Sequence, residues 1–570
     1  MAKRRLNLFW LSACLALVFT STTPLSAASL LGDDWETFFR DKVSFRGFVE
    51  NVSGLSVSHG DRHFNTSNRL DMQRFTIQPE INVDATSWAK FFISWRFVKE
   101  IRYSAEAKSR EKSVTYFPRA PVKPLRNTYY DEYRPKPWEA VLDLSPTDAL
   151  KIRLGRQFIS WGETDGVRLL DLINPQDLTF SPPAAPNLFS LDETRIPSVG
   201  LRTLYTIRPV SNTILEFFAL PGFFDEAKQR VDEIVGSNDT GDREVRYGRW
   251  SAHPETRLTF LSSAGPRNAF GNLFTNPFVC VGISPTCVVI PTTSRELPDA
   301  GDSWKIGTRL SHAIGKLNFS LGYIWGFNPQ STDMVFKLTG KRLIQCPGTV
   351  PPVPPLCTQA FLRLMNDRTN IFAGQFNYPV GDVFTIPVNT TVRGELAFIP
   401  DKPYNISNFR NPALGLRASA DPKYPEGVVE KHTIRYALGF DRTTLIPFLH
   451  PDDPWRAFSL SFQVFQNIIL DHEDGIRPFS TAEKIQRVST TLTFRIGTGY
   501  AGDTILPDVF IGYDPEGYWT ANPAISYVPP GNEKIKFSLV GAFYGGRNKF
   551  KSFGFFDEKD SVFLKMRYQF

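Results

Sequence analysis

Apolar and polar residues alternate with a period of two along most of this chain. In FTIQPEINVD, Phe75, Ile77, Pro79, Ile81 and Val83 fall on one face, and Thr76, Gln78, Glu80, Asn82 and Asp84 on the other. The pattern recurs in AKFFISWRF (Ala89, Phe91, Ile93, Trp95, Phe97), LKIRL (Leu150, Ile152, Leu154), LNFSLGYIW (Leu317, Phe319, Leu321, Tyr323, Trp325) and VSTTLTFRI (Val488, Thr490, Leu492, Phe494, Ile496). Successive side chains of a strand point to opposite faces, so each segment predicts a strand with one apolar and one wet face. A soluble sandwich alternates in this way, and so does a membrane barrel with lipid outside and a polar lumen within.

The connectors separate the two. Tight ones are predicted at 84–87, 145–149, 209–212, 313–316, 379–382 and 529–534, with long ones between them at about 104–136, 162–196, 221–302, 328–370, 400–430 and 468–484. Short and long in turn is the signature of an outer-membrane barrel with periplasmic turns and extracellular loops; a compact soluble domain rarely carries so many long loops. The last strand, DSVFLKMRYQF, sets Val562, Leu564, Met566, Tyr568 and the terminal Phe570 on one face. A final strand that ends in an aromatic residue resembles the assembly signal of bacterial outer-membrane barrels, with Tyr568 and Phe570 in that role. The fold class is therefore all-β, a transmembrane antiparallel barrel of about 18 strands. Sixteen results if 498–528 is read as loop.

The N-terminus agrees with export. Lys3, Arg4 and Arg5 precede an apolar run from Leu8 to Phe19 and the small residues Ser26, Ala27 and Ala28, which reads as a cleaved signal peptide over 1–27. Residues 28–42 form a short periplasmic segment, and 43–570 the barrel. Composition adds a limit: removing the three signal cations takes the formal charge from +7 to +4, and the remaining cations are interleaved with acids, so no nucleic-acid partner is indicated. Cys280, Cys287, Cys346 and Cys357 fall as two local pairs in CVGISPTC and CPGTVPPVPPLC, in loops of the long class. In an oxidising compartment this spacing predicts disulfides 280–287 and 346–357; zinc-finger spacing and neighbouring histidines are missing.

One stretch breaks the alternation. GRQFISWGETDGVRLLDLINPQDL begins at Gly155 as strand and turns into an acidic segment with glycines at 162 and 166. A bulge at Gly155 is expected to bring Arg153 and Arg156 to the lumen and return Ile159 and Trp161 to lipid, with Trp161 in the outer aromatic belt. Beyond it, Val167, Leu170 and Ile173 have helical spacing, stopped by Pro175. Two placements are open: a loop folded into the lumen, where Glu163, Asp165, Arg168 and Asp171 face Arg153 and Arg156 across a constriction, or a short helix capping the outer rim.

The same stretch resembles the signature of a bacterial outer-membrane barrel family catalogued as domain of unknown function 1302. The resemblance implies an outer-membrane barrel, outer-membrane lipid and the barrel assembly machinery as partners, and traffic in lipophilic molecules with a periplasmic lipoprotein-like protein and an inner-membrane exporter. It implies no substrate.

Catalytic motifs are missing. The chain has seven histidines and no G-x-S-x-G, H-E-x-x-H or P-loop. His59 and His63 sit with Asp61 on the first outer loop, which reads as a solvated loop, and Asp471, Glu473 and Asp474 lack calcium-loop spacing. Neither an enzyme nor a cofactor is expected. Two function classes stand: a channel or transporter for small molecules narrowed by 162–178, or a surface barrel whose disulfide-stapled loops serve adhesion or docking.

Overall fold

The computed structural model describes residues 40–57, 70–100, 137–174, 182, 185–188, 191–207, 212–221, 286–289, 294–295, 304–327, 335–345, 356–365, 368–383, 386–406, 423–424, 426–477, 484–547, 552–557 and 559–570. The expected signal peptide, most of 28–42, His59, His63, Pro175, Cys280 and Cys346 lie outside them.

Among the described residues, eighteen antiparallel strands close into one barrel. They are β1 (Val43–Ser56), β2 (Leu70–Val83), β3 (Ala89–Ser94, continuing as Phe97–Glu100), β4 (Glu139–Thr147), β5 (Leu150–Gln157) and β6 (Ser198–Thr206). There follow β7 (Thr213–Leu220), β8 (Lys305–Ile314), β9 (Leu317–Phe327), β10 (Arg368–Val383), β11 (Ile386–Ile406) and β12 (Val428–Leu445). The last third is β13 (Ala457–Ile469), β14 (Val488–Gly497), β15 (Ile505–Asp514), β16 (Tyr518–Tyr527), β17 (Ile535–Gly546) and β18 (Ser561–Gln569). Each strand pairs with its sequence neighbour, and β1 pairs with β18 from Phe48↔Gln569 to Ser56↔Ser561. Phe570 finishes the ring: it exchanges two backbone hydrogen bonds with Gly47, at 3.1 and 3.0 Å. A Cβ on Gly47 would lie 2.8 Å from the Phe570 ring, which stacks on Phe45 at 5.5 Å.

The period of two becomes two chemical faces. Phe45, Leu321, Phe372, Leu396, Phe440, Ile525 and Leu564 are exposed on the outside. Polar residues of the opposite parity, including Glu50, Arg74, Glu216 and Glu395, point inward and are buried. Moving a Leu or Phe side chain from water to hydrocarbon stabilises by roughly 1.5–3 kcal/mol, so a closed sheet with this outer band belongs in the outer membrane.

Pro79 explains why β3 is in two pieces. The β2–β3 register is unbroken from Glu80↔Ser94 to Ile77↔Phe97, but Pro79 has no N–H to donate; the gap is bridged by the Trp95 N–H to the Pro79 carbonyl at 3.1 Å and by Arg96 Nε to Gln78 Oε1 at 2.8 Å. The expected tight turn at 379–382 lies inside β10, which runs to Val383, and β11 begins at Ile386. The ambiguous region 498–528 holds β15 and β16 joined through 515–517, with Gly517 at φ +100°, so this outer connector is tight. Conversely the periplasmic connector 446–456 is long and ordered around His450, whose ring lies 4.2 Å from Tyr500. A second small sheet outside the barrel path joins Thr286–Val289, Ser294–Arg295, Val335–Gln345 and Leu356–Met365.

Candidate functional site

The chain leaves β5 at Gln157 and turns inside the barrel. Ile159, Trp161, Leu169, Leu170, Leu172 and Ile173 are buried in one apolar cluster with Phe218, Leu220, Ile324, Ile371, Ala373, Ala397, Ile399, Ala437 and Phe465, which are inward-facing residues of β7 and β9–β13. Trp161 therefore does not stand in the outer aromatic belt. Its ring meets Phe218 edge-on at 5.3 Å, carries the Arg309 guanidinium at 5.2 Å, and lies over Gly322, where a Cβ would approach to 3.0 Å. Ile159 is equally enclosed. Alternation counted past Gln157 misplaced both, because the strand ends there.

No bulge forms at Gly155: the ladder to β6 runs in register through Gly155↔Gly200. Gly155 instead takes φ +122°. Arg156 is buried and donates Nε to the Trp138 carbonyl at 2.9 Å. Arg153 makes a two-point ion pair with Asp143 across β4–β5, at 2.7 and 2.9 Å.

The expected helix at 167–173 is also not there; bends take its place. The reason is that its backbone polar groups find partners in side chains. Arg168 donates to the carbonyls of Asp171 and Asn174 at 2.9 Å each, and Lys305 of β8 donates to those of Leu172 and Ile173 at 2.8 and 3.2 Å. A helix is unnecessary when such groups satisfy the backbone. Asn174, fully enclosed, accepts from Ile159 N–H at 2.8 Å and donates to the Ile196 carbonyl at 3.0 Å, tying both ends of the segment together.

The acidic part is held by β11. Glu395 Oε1 accepts the backbone N–H of Glu163 and, at 2.9 Å, of Thr164; Oε2 accepts that of Leu170 at 3.2 Å. Two residues earlier on the same inward face, Arg393 pairs with Asp165 at 2.5 Å, with Asp441 of β12 at 2.7 Å, and donates to the Glu163 carbonyl. Gln463 of β13 holds Asp165 from the other side at 3.2 Å. Glu163 and Asp165 are exposed, whereas Asp171 is buried in an ion pair with Arg195, with Arg168 at 3.9 Å. The bases paired with Asp165 and Asp171 are thus Arg393, Arg195 and Arg168, while Arg153 pairs with Asp143. Two glycines meet local constraints here: Gly166 has φ +79°, and a Cβ on Gly162 would reach 3.1 Å from the Asp171 nitrogen.

The chain then returns along the facing wall. Ala185, Leu188 and Ile196 join Val52, Met72, Val98, Trp138, Val540, Ala542, Tyr544 and Phe563 in a second cluster. The Leu188 carbonyl accepts from Lys565, Glu193 pairs with Arg567 at 3.2 Å, and the Glu193 carbonyl accepts from Arg96 at 2.8 Å. One arm is seated on β7–β13 and the other on β1–β3 and β16–β18, so the connection from β5 to β6 crosses the interior from wall to wall. Outside the membrane, Glu473 binds Lys431 at 2.8 Å, the Tyr424 hydroxyl and Lys423 at 3.3 Å. Those hydrogen bonds, from Lys431 first and then Tyr424, bring its carboxyl down to about 2. Among the described residues, no three His, Cys, Asp or Glu side chains are grouped to hold a metal ion.

A family model described as "Protein of unknown function (DUF1302)" matches residues 9–570. No curated protein matches the chain. Among solved structures, OpdK of Pseudomonas aeruginosa with vanillate aligns at 9% identity and TM-score 0.39, over 94% of this chain and 99% of its own. OccAB1 of Acinetobacter baumannii aligns at 7% and 0.43, over 93% and 96%, and OmpF of Salmonella typhi, in complex with daunomycin, at 7% and 0.36, over 93% and 97%. At these identities and scores the likeness carries no substrate to this chain.

Proposed function

Starting from a chain that belongs to the DUF1302 family, we propose that it is an outer-membrane channel for small molecules, narrowed by the segment within 162–178. The observation that supports this reading most directly is a segment inside the barrel whose apolar side packs on the wall while Glu163 and Asp165 are left exposed, Asp165 paired with Arg393. Acid beside base in a narrow lumen sets up a transverse field that orients dipolar solutes more than it selects one ion. A periplasmic lipoprotein-like partner and an inner-membrane exporter would hand lipophilic cargo to such a pore. The competing reading, a docking barrel, is favoured by the small sheet that gathers residues from two outer loops.

Planar-bilayer recording separates the two. The parent should conduct in discrete steps, deletion of 163–174 should enlarge them, and E163Q/D165N should move the reversal potential toward anions. If the parent does not conduct, the docking barrel is the better reading; if it conducts and both variants match it, the segment does not set the bore.

A further inference from the structure

The small sheet outside the barrel makes a pairing that local spacing in the sequence does not. Thr286–Val289 runs parallel to Leu356–Met365 with Thr286↔Leu356, Cys287↔Cys357, Val288↔Thr358 and Val289↔Gln359 as register partners. Residues in register on adjacent strands share a face, and neighbouring strands lie about 4.8 Å apart. That is inside the span of roughly 4.4–6.8 Å that Cα atoms keep across a disulfide. On its other side Cys357 is opposite Ile344, so among its described strand partners only Cys287 is a cysteine.

We propose that Cys287 and Cys357 form a disulfide that joins the β7–β8 loop to the β9–β10 loop, in place of closure within each loop. The chain crosses the periplasm to reach the outer membrane, where thiols meet oxidising disulfide carriers. One thiolate attacks the disulfide of such a carrier and the second thiolate displaces it. The Cys287–Cys357 bond forms, and the carrier leaves with the two electrons and two protons. The closed ring contains β8, β9 and the tight turn between them, so the bond fastens two barrel strands and the outer sheet into one covalent unit. Closing a ring between distant residues removes more freedom from the unfolded chain than closing a short one. The proposal requires export but not conduction, and it stands apart from the channel reading.

The ring gives a direct assay. Gly315, in the β8–β9 turn, has open space around it, so a protease site inserted after it should be tolerated. Purified barrel is cut there, boiled in SDS with and without reductant, and compared between the otherwise unchanged protein and C280S/C346S. One band without reductant and two with it, in both proteins, is the expected result. Two fragments without reductant from C280S/C346S would overturn the proposal. Non-reducing peptide mapping of the uncut parent decides independently of the insertion: a peptide linking Cys287 to Cys357 supports the bond, whereas links 280–287 or 346–357, or free thiols at 287 and 357, refute it.

Discussion

Glu395→Leu isolates what holds the lumenal segment in place. The substitution keeps side-chain volume close to the original and removes the acceptor of three backbone N–H groups, those of Glu163, Thr164 and Leu170. A hydrogen bond to a charged group contributes roughly 1.5–3 kcal/mol. The donors at Glu163 and Thr164 are on the wet side and will rebind water, while that of Leu170 is buried and stays unmet. The net loss is therefore about 2–4 kcal/mol, less than three full bonds. At about 1.4 kcal/mol per tenfold this shifts the seated-to-released ratio roughly 30- to 700-fold. Leu169, Leu170, Leu172 and Ile173 still contribute roughly 1.5–3 kcal/mol each by burial, so the segment should remain seated on average and open more often. Amide hydrogen exchange at Leu170 should accelerate by that factor, with flicker to a larger conductance and unchanged heat-modifiability. Equal Leu170 exchange in both proteins would show that the apolar anchors alone hold the segment and refute the role given to Glu395; Glu395→Gln, which keeps one acceptor, should fall between.

Other expectations are as direct. Deleting Phe570, or replacing Gly47 with Val, removes the terminal closure or fills the space its ring occupies; either should sharply reduce the heat-modifiable, membrane-inserted form on gels, and normal assembly of both would remove this seam from the list of requirements. For Glu473, a carboxyl held at about 2 against an ordinary 4.5 stabilises the outer loops fully above pH 4.5 and loses that contribution as pH falls toward 2. Protease cutting near 423–431 should rise over that window in the parent, and Glu473→Gln should flatten the dependence; a parallel rise in both would assign it elsewhere.

The barrel was legible because lipid imposes a rule on every second residue. Phe75 and Ile77, or Leu492 and Phe494, declare the outer face without reference to any partner. The inner face obeys no such local rule. Arg393 and Glu395 in RGEL look like any lumenal polar pair, and their role depends on a loop more than 200 residues earlier. A signal was nonetheless present: Phe218, Ile324, Ile371, Ile399 and Phe465 are apolar on the face that should be wet, which marks a wall covered by something. Trp161 was misplaced for a related reason, since a period of two persists on paper after the strand has ended. The helical spacing at Val167, Leu170 and Ile173 named part of the packed set, but Leu169 and Leu172, off that face, are buried as well, because Arg168, Lys305 and Glu395 answer the groups a helix would have bonded internally and the backbone is not helical.

The wall-to-wall course of the β5–β6 connection also fixes an order of events during biogenesis. Its second arm is anchored by Lys565 and Arg567, which belong to the last strand to be made, yet the connection itself emerges in the first third of the chain. Until β18 docks beside β1, the Glu193 carboxylate lacks Arg567 and the Leu188 carbonyl lacks Lys565, and the arm is held by Arg96 and the apolar residues of β1–β3 without them. The last anchors of the cross-piece are thus added in the same step that zips the sheet shut. A chain stalled before its final strand is consequently unsealed at its edge and short of these anchors at its centre together, which gives quality control a single incomplete state to recognise.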